Sequence, residues 1–177
     1  MVTSVSLHDA MCIFLENEVA NRYENKLKTV DIEGNESFTK PQVVRSGFLL
    51  PKSIGTEGSK EEEFPFILPR LRRMENVRNA RERIVTLEVL FGVYDPGVYE
   101  DGKLVEDGSG YRDLWNLIES TCQAFFSHMI VDKKYSIIED FLEAEMFSEQ
   151  VFPYWEGYCR TRWHVAYPLP HPEPAFF

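Results

Sequence analysis

Residues 83–94, Arg83-Ile84-Val85-Thr86-Leu87-Glu88-Val89-Leu90-Phe91-Gly92-Val93-Tyr94, decide the fold of this chain. Val85, Leu87, Val89, Phe91 and Val93 face one way, while Thr86, Glu88 and Gly92 face the other, which is the period of a half-buried strand. Upstream, Phe64-Pro65-Phe66-Ile67-Leu68-Pro69-Arg70 opens a second, mostly apolar strand over residues 64–72. The connection from Arg73 to Glu82 turns the pair into a long hairpin with a basic tip.

Further strands and two helices surround that hairpin. Leu7, Met11, Phe14, Leu15, Val19 and Tyr23 recur at helical spacing and predict an amphipathic helix over residues 5–24, started by Ser6-Leu7-His8-Asp9. Leu114, Leu117, Ile118, Thr121, Cys122, Phe125 and Met129 form one stripe of a second helix, from Ser109 or Gly110 to about Met129. Residues 41–50 read as a short edge strand, since Pro41 has no N–H for a ladder. Strands follow over Tyr135–Met146 and about Tyr154–Tyr167. In the latter, Trp155, Cys159, Trp163, Val165 and Tyr167 share one face, and Glu156, Tyr158, Arg160, Arg162 and His164 the other. Gly- and Ser-rich residues 51–63 and Gly- and Asp-rich residues 95–109 read as loops.

The order α-β-(loop)-β-β-α-β-β predicts an α+β fold: an antiparallel or mixed sheet of about five strands with two main helices on one face. Residues 1–167 form a single domain. Residues 168–177, with four prolines in ten residues, form an extended tail.

The net charge of −10 argues against gripping nucleic acid, because phosphate affinity comes mainly from Lys and Arg. That charge is uneven. Residues 64–83 hold six Arg against two Glu, whereas residues 1–63 net −4 and residues 84–177 net −10. The basic segment, Arg70, Arg72, Arg73, Arg78, Arg81 and Arg83, is the candidate contact with an acidic partner. Arg160, Arg162 and His164 on one strand face are the candidate subunit interface.

Other chemistry finds little footing. Cys12, Cys122 and Cys159 have no C-x-x-C spacing and read as buried reduced thiols. His8, His128, His164 and His171 have no metal-ligand spacing. No Gly-x-Ser-x-Gly elbow, phosphate-binding loop or dinucleotide fingerprint is present. Glu88, Glu139, Asp140 and Glu143 with Lys133-Lys134 offer a metal-dependent nuclease reading, but carboxylates alternating with apolar residues are usually the wet face of a sheet. The chain lacks a signal peptide and a membrane-length apolar run, so a soluble, cytosolically made product without cofactor or metal is expected.

Four segments together carry a resemblance: Phe64-Pro65-Phe66, then Phe91-Gly92-Val93-Tyr94, then Gly110-Tyr111-Arg112-Asp113-Leu114-Trp115-Asn116-Leu117-Ile118-Glu119, then Pro153-Tyr154-Trp155-Glu156-Gly157. In this order they resemble the tail terminator (tail completion) subunits of long-tailed bacteriophages and prophages, over roughly residues 64–167. The chain departs from that pattern in its more basic 73–82 segment and its longer 95–109 loop. The resemblance implies a non-enzymatic virion assembly protein made in the bacterial cytoplasm. Such subunits form a ring, typically a hexamer, at the head-proximal end of the tail tube. The ring stops tube growth, contacts the major tail tube protein and the head–tail connector, and lets DNA pass without specific binding or membrane contact. A head-completion or connector role is the neighbouring alternative, and a host protein-interaction module a more distant one.

Overall fold

The computed structural model describes residues 3–30, 35–48, 64–77, 82–100 and 103–166. The expected loop at 51–63, the tail at 168–177, and Arg78 and Arg81 lie outside them.

The first helix, α1 (Ser4–Glu18), starts earlier than Ser6 because Thr3 is its cap. The Thr3 hydroxyl accepts the Ser6 N–H at 3.0 Å, and the Ser6 hydroxyl accepts the Thr3 N–H at 2.7 Å. This reciprocal pair satisfies two donors that a helix start leaves open. A 3-10 turn (Ala20–Tyr23) ends the stripe. The chain then forms a hairpin of β1 (Leu27–Val30) and β2 (Glu36–Thr39), which the mixed polar composition there does not announce.

The main sheet has six strands, in the order β3 (Gln42–Val43), β4 (Phe66–Val77), β5 (Glu82–Tyr94), β10 (Tyr154–Ala166), β9 (Tyr135–Met146) and β8 (Ile130–Val131). Its body is four long strands, each antiparallel to the next: β4, β5, β10 and β9. Short strands flank them. β3 runs parallel to β4, so the expected edge strand exists but is far shorter than residues 41–50. β8 lies beside the start of β9. The expected loop 95–109 contains its own hairpin, β6 (Val98–Glu100) and β7 (Lys103–Val105).

The basic tip is corrected most. Register runs from Phe66↔Gly92 to Val77↔Glu82, so Arg73, Met74, Glu75 and Asn76 are strand residues. The polar side chains of Arg73, Glu75 and Asn76 interrupt the apolar alternation without ending the strand.

Both helices cover one face. Leu7, Met11 and Leu15 of α1 meet Leu114, Leu117 and Phe125 of α2 (Ser109–Ser127) over Val85, Leu87, Val89, Phe91, Val93 and Trp163. Each such burial contributes about 1.5–3 kcal/mol per large side chain. A smaller cluster of Phe64, Phe66, Leu68 and Tyr94 lies on the opposite face, at the end of the sheet where β5 finishes.

Close approaches tie these layers together. A Cβ on Gly92 would stand 2.2 Å from Phe66 Cε1 and 2.6 Å from Phe64 Cε1. One on Gly110 would stand 2.3 Å from Trp155 Nε1, and one on Gly157 would stand 3.1 Å from Ile118 Cδ1. The absent side chains let aromatic rings and α2 lie directly on the sheet.

Asp95 fastens the start of α2 to the rest. It is buried, pairs with Lys28 Nζ at 2.6 Å, accepts the Gly97 N–H at 3.0 Å, and accepts the Ser109 hydroxyl. With Asp107, which accepts the Ser109 N–H at 2.9 Å, it places negative charge at a helix N-terminus, where the dipole favours it.

Candidate assembly surface

The face of the sheet without helices holds most of the residues singled out by charge. In sequence they seem two sites, and the fold merges them. Arg70 on β4, Glu88 on β5, Arg160 on β10 and Glu143 on β9 stand in one row, because Arg70↔Glu88, Glu88↔Arg160 and Arg160↔Glu143 are register partners. The signs alternate across the four strands.

Glu88 organises the row. It is 1% exposed, which corrects its reading as part of a wet face. Arg70 Nε donates to one of its oxygens at 2.5 Å, Arg160 Nε donates to the other at 2.8 Å, and Arg72 Nε lies 3.5 Å away. Burial alone would raise its pKa, but the hydrogen bonds from Arg160 and Arg70 and the charges of Arg70 and Arg72 outweigh that and lower it. Arg160 is raised chiefly by its hydrogen bond to Glu88. Arg160 Nη1 also reaches both Glu143 oxygens at 3.4 Å, and its guanidinium stacks 4.3 Å from the Tyr158 ring centre. The Tyr158 hydroxyl donates to Glu145 at 2.6 Å and to Glu143 at 2.9 Å. Its pKa is driven well up by the Glu145 bond, then by burial and the Glu143 bond.

Below this row, Arg72, Arg73, Arg160 and Arg162 converge on a cleft that also contains Thr86 and Phe141. Glu75 pairs with Arg73 at 2.9 Å and with Arg162 at 3.6 Å. Four arginines thus line the cleft with one carboxylate, Glu75, and leave positive charge beside the Phe141 ring. Such a surface suits carboxylate-bearing partners, because guanidinium groups bind them in a planar fork.

Arg83 does not join the cleft. It sits near the far end of β5, with Nε donating to Asn76 Oδ1 at 3.1 Å. His164 is half-buried on the same face, in register with Ile84 and Ser136.

The oxygens of Glu88 are occupied by guanidinium groups, and His8 Nε2 is 3.0 Å from the Pro69 carbonyl oxygen. Among the described residues no group of three or more His, Cys, Asp and Glu side chains is placed to hold a metal, and no helix is long and apolar enough to cross a membrane.

No family model matches the chain, and no curated protein matches it in sequence.

The residues that sequence reasoning missed are Glu143 and Tyr158 as partners of Arg160, Glu145 as an acceptor for Tyr158, and Asp95 as an anchor. A signal for the first group existed. An antiparallel hairpin centred near residue 79 sets Arg70 opposite Glu88, and charged residues alternate on the later strands too.

Proposed function

We propose that this protein is a non-enzymatic subunit of a bacteriophage or prophage tail. In this reading it is a tail terminator whose ring caps the tail tube, stops its growth and offers a surface for head joining. The observation that carries the reading is the interlocking of the four resembling segments. Phe64 and Phe66 lie on Gly92, Gly110 lies against Trp155, and Ile118 of the third segment reaches Gly157 of the fourth. The four segments are thus linked through β5 and β10, the first packing with Gly92 and Tyr94 on the open face and the third with Trp155 and Gly157 on the helix face, and resemblance at all four is worth more than at any one. The cationic cleft on the open face supports the assembly role, since it gives an otherwise acidic chain a place for an acidic tube or connector surface.

Electron microscopy of tails from a phage or prophage strain deleted for this gene tests the proposal. Overlong, headless tubes are expected. Tails of normal length beside separate filled heads would move the role to the connector, and normal virions would overturn both.

A further inference from the structure

We infer that a second copy of this chain docks on the sheet edges, with the open edge of β4 in one copy pairing head-to-tail with the open edge of β9 in the next. The inference rests on the ring-forming part of the reading above for its occupant, and on the geometry of the sheet for everything else.

Both edges are only partly covered. β3 pairs with Phe66 and Ile67 at the start of β4, and among the described residues no strand lies beside Leu68–Val77. β8 pairs with Tyr135 and Ser136 at the start of β9, and none lies beside Ile138–Met146. On β4 the Pro69 carbonyl already meets His8 Nε2 at 3.0 Å, so the free stretch there begins at Leu71; on β9 backbone groups point outward. The Phe147 N–H bonds to the Glu156 carbonyl at 3.1 Å, so the alternation of an antiparallel ladder turns those of Leu142, Ala144 and Met146 away from β10. Such an edge is a template for another strand.

Two features select the partner. The first is direction. Four long strands alternate in sense, so β4 and β9 run oppositely, and a like-oriented neighbour sets its β4 antiparallel to this β9. The second is charge. The open stretch of β4 carries Arg72 and Arg73 against Glu75, with Arg70 just before it, while that of β9 carries Glu139, Asp140, Glu143 and Glu145 without a basic residue. Like edges repel and unlike edges attract, which disfavours the two-fold pairing of β4 with β4 or β9 with β9 and favours the heterologous one.

The rows also meet level. Leu71, Leu87, Thr161 and Leu142 share one row, so a level neighbour brings its Arg70 beside Glu143. The alternation Arg70, Glu88, Arg160, Glu143 then continues from copy to copy without two like charges meeting. Pro69 and the irregularity between Leu71 and Arg73 limit promiscuous pairing along β4.

Charge exchange tests this. The double variant Arg72→Glu with Arg73→Glu makes the β4 edge acidic, and Glu139→Arg with Asp140→Arg neutralises the β9 edge and sets two arginines on the side of Leu142 that faces positions 72 and 73 of a level neighbour. Sedimentation of the full chain at high concentration and low salt should show the wild type associating. Each double variant should lose that association by about tenfold or more, and the chain carrying all four changes should regain it. Circular dichroism spectra matching the wild type identify folded variants. Failure of the fourfold variant to recover, with its fold intact, would overturn the inference, as would a wild type that stays monomeric throughout. Overlong tubes in the deletion strain would leave the terminator reading standing in either case, so the two failures are distinguishable.

Discussion

The Phe66 ring lies across the backbone of Gly92 on the adjacent strand, with the Phe64 ring packed edge-on beside it at 5.1 Å between centroids. Neither ring can withdraw freely, since Phe64 and Phe66 are both buried. Gly92→Ala should therefore force the rings or the strand to shift and destabilise the protein by about 1–3 kcal/mol. Urea denaturation of the purified variant checks this. An unchanged midpoint would mean that the rings relocate without loss.

Glu88→Gln should cost about 1–3 kcal/mol, because Arg70 and Arg160 lose a charged acceptor while keeping enough exposure to recover some hydration. The pH dependence carries a sign. Glu88 has a folded pKa below its ordinary value of 4.5, so its contribution is fully present above that pH and is lost as pH falls through the lower folded value. The difference between wild type and variant should shrink on acidification below about pH 4.5 and stay flat from pH 6 to 8. Denaturation midpoints measured across that range decide it, and a gap that widens in acid would refute the assignment.

Long, strongly periodic segments were legible in sequence, and short or polar ones were not. β9 and α2 occupy nearly the expected residues, and the two faces of β10 divide as alternation predicts, because burial on one side imposes the period. The two-residue strand β8 and the β1–β2 hairpin leave no periodic trace, being too short or too polar to show a buried face, and β3 occupies only two residues of the edge strand expected over 41–50. Arg73 was misplaced for a related reason, while Arg70 and Arg72 lie on the expected strand. Composition reads Arg73, Glu75 and Asn76 as loop, whereas they continue the β4–β5 ladder, with Glu75 pairing with Arg73 and reaching Arg162 on β10. Candidate residues were legible by type, but their convergence depends on register, which no single segment encodes.

Asp95 joins three parts of the chain, and Asp95→Ala should release all of them. Lys28 would remain only partly exposed without its 2.6 Å partner, and Ser109 and Gly97 would lose an acceptor. A loss of about 3–5 kcal/mol is expected from breaking a largely buried pair on one side. Hydrogen exchange should show faster opening in the first turn of α2 than in β5. Uniform acceleration across the chain would instead indicate only a global loss.

The thiols should differ in reactivity. Cys159 is fully buried, and its pKa is pushed well up by its contact with Cys122 and by burial; burial also raises Cys12. Cys122 is partly exposed and is lowered by the same contact with Cys159. Alkylation of the native protein followed by mass spectrometry should modify Cys122 first, and modify Cys12 and Cys159 only on unfolding. Early labelling of Cys12 would show that α1 opens readily.

The arginines of the open face offer a direct test of attachment. The triple variant Arg72→Glu, Arg73→Glu and Arg78→Glu should remain folded, since Arg70 and Arg160 still hold Glu88 and the altered side chains at 72 and 73 are exposed. It should fail to attach to tails, and tail length and infectivity measured after complementation would report that. Wild-type values in both would sink the role of these residues. Loss of attachment alone has two sources, because Arg72 and Arg73 also border the edge of β4. Adding Glu139→Arg and Asp140→Arg separates them. If the arginines act only between copies, the compensated chain should recover attachment, whereas a tube or connector contact should stay broken even after the copies associate again.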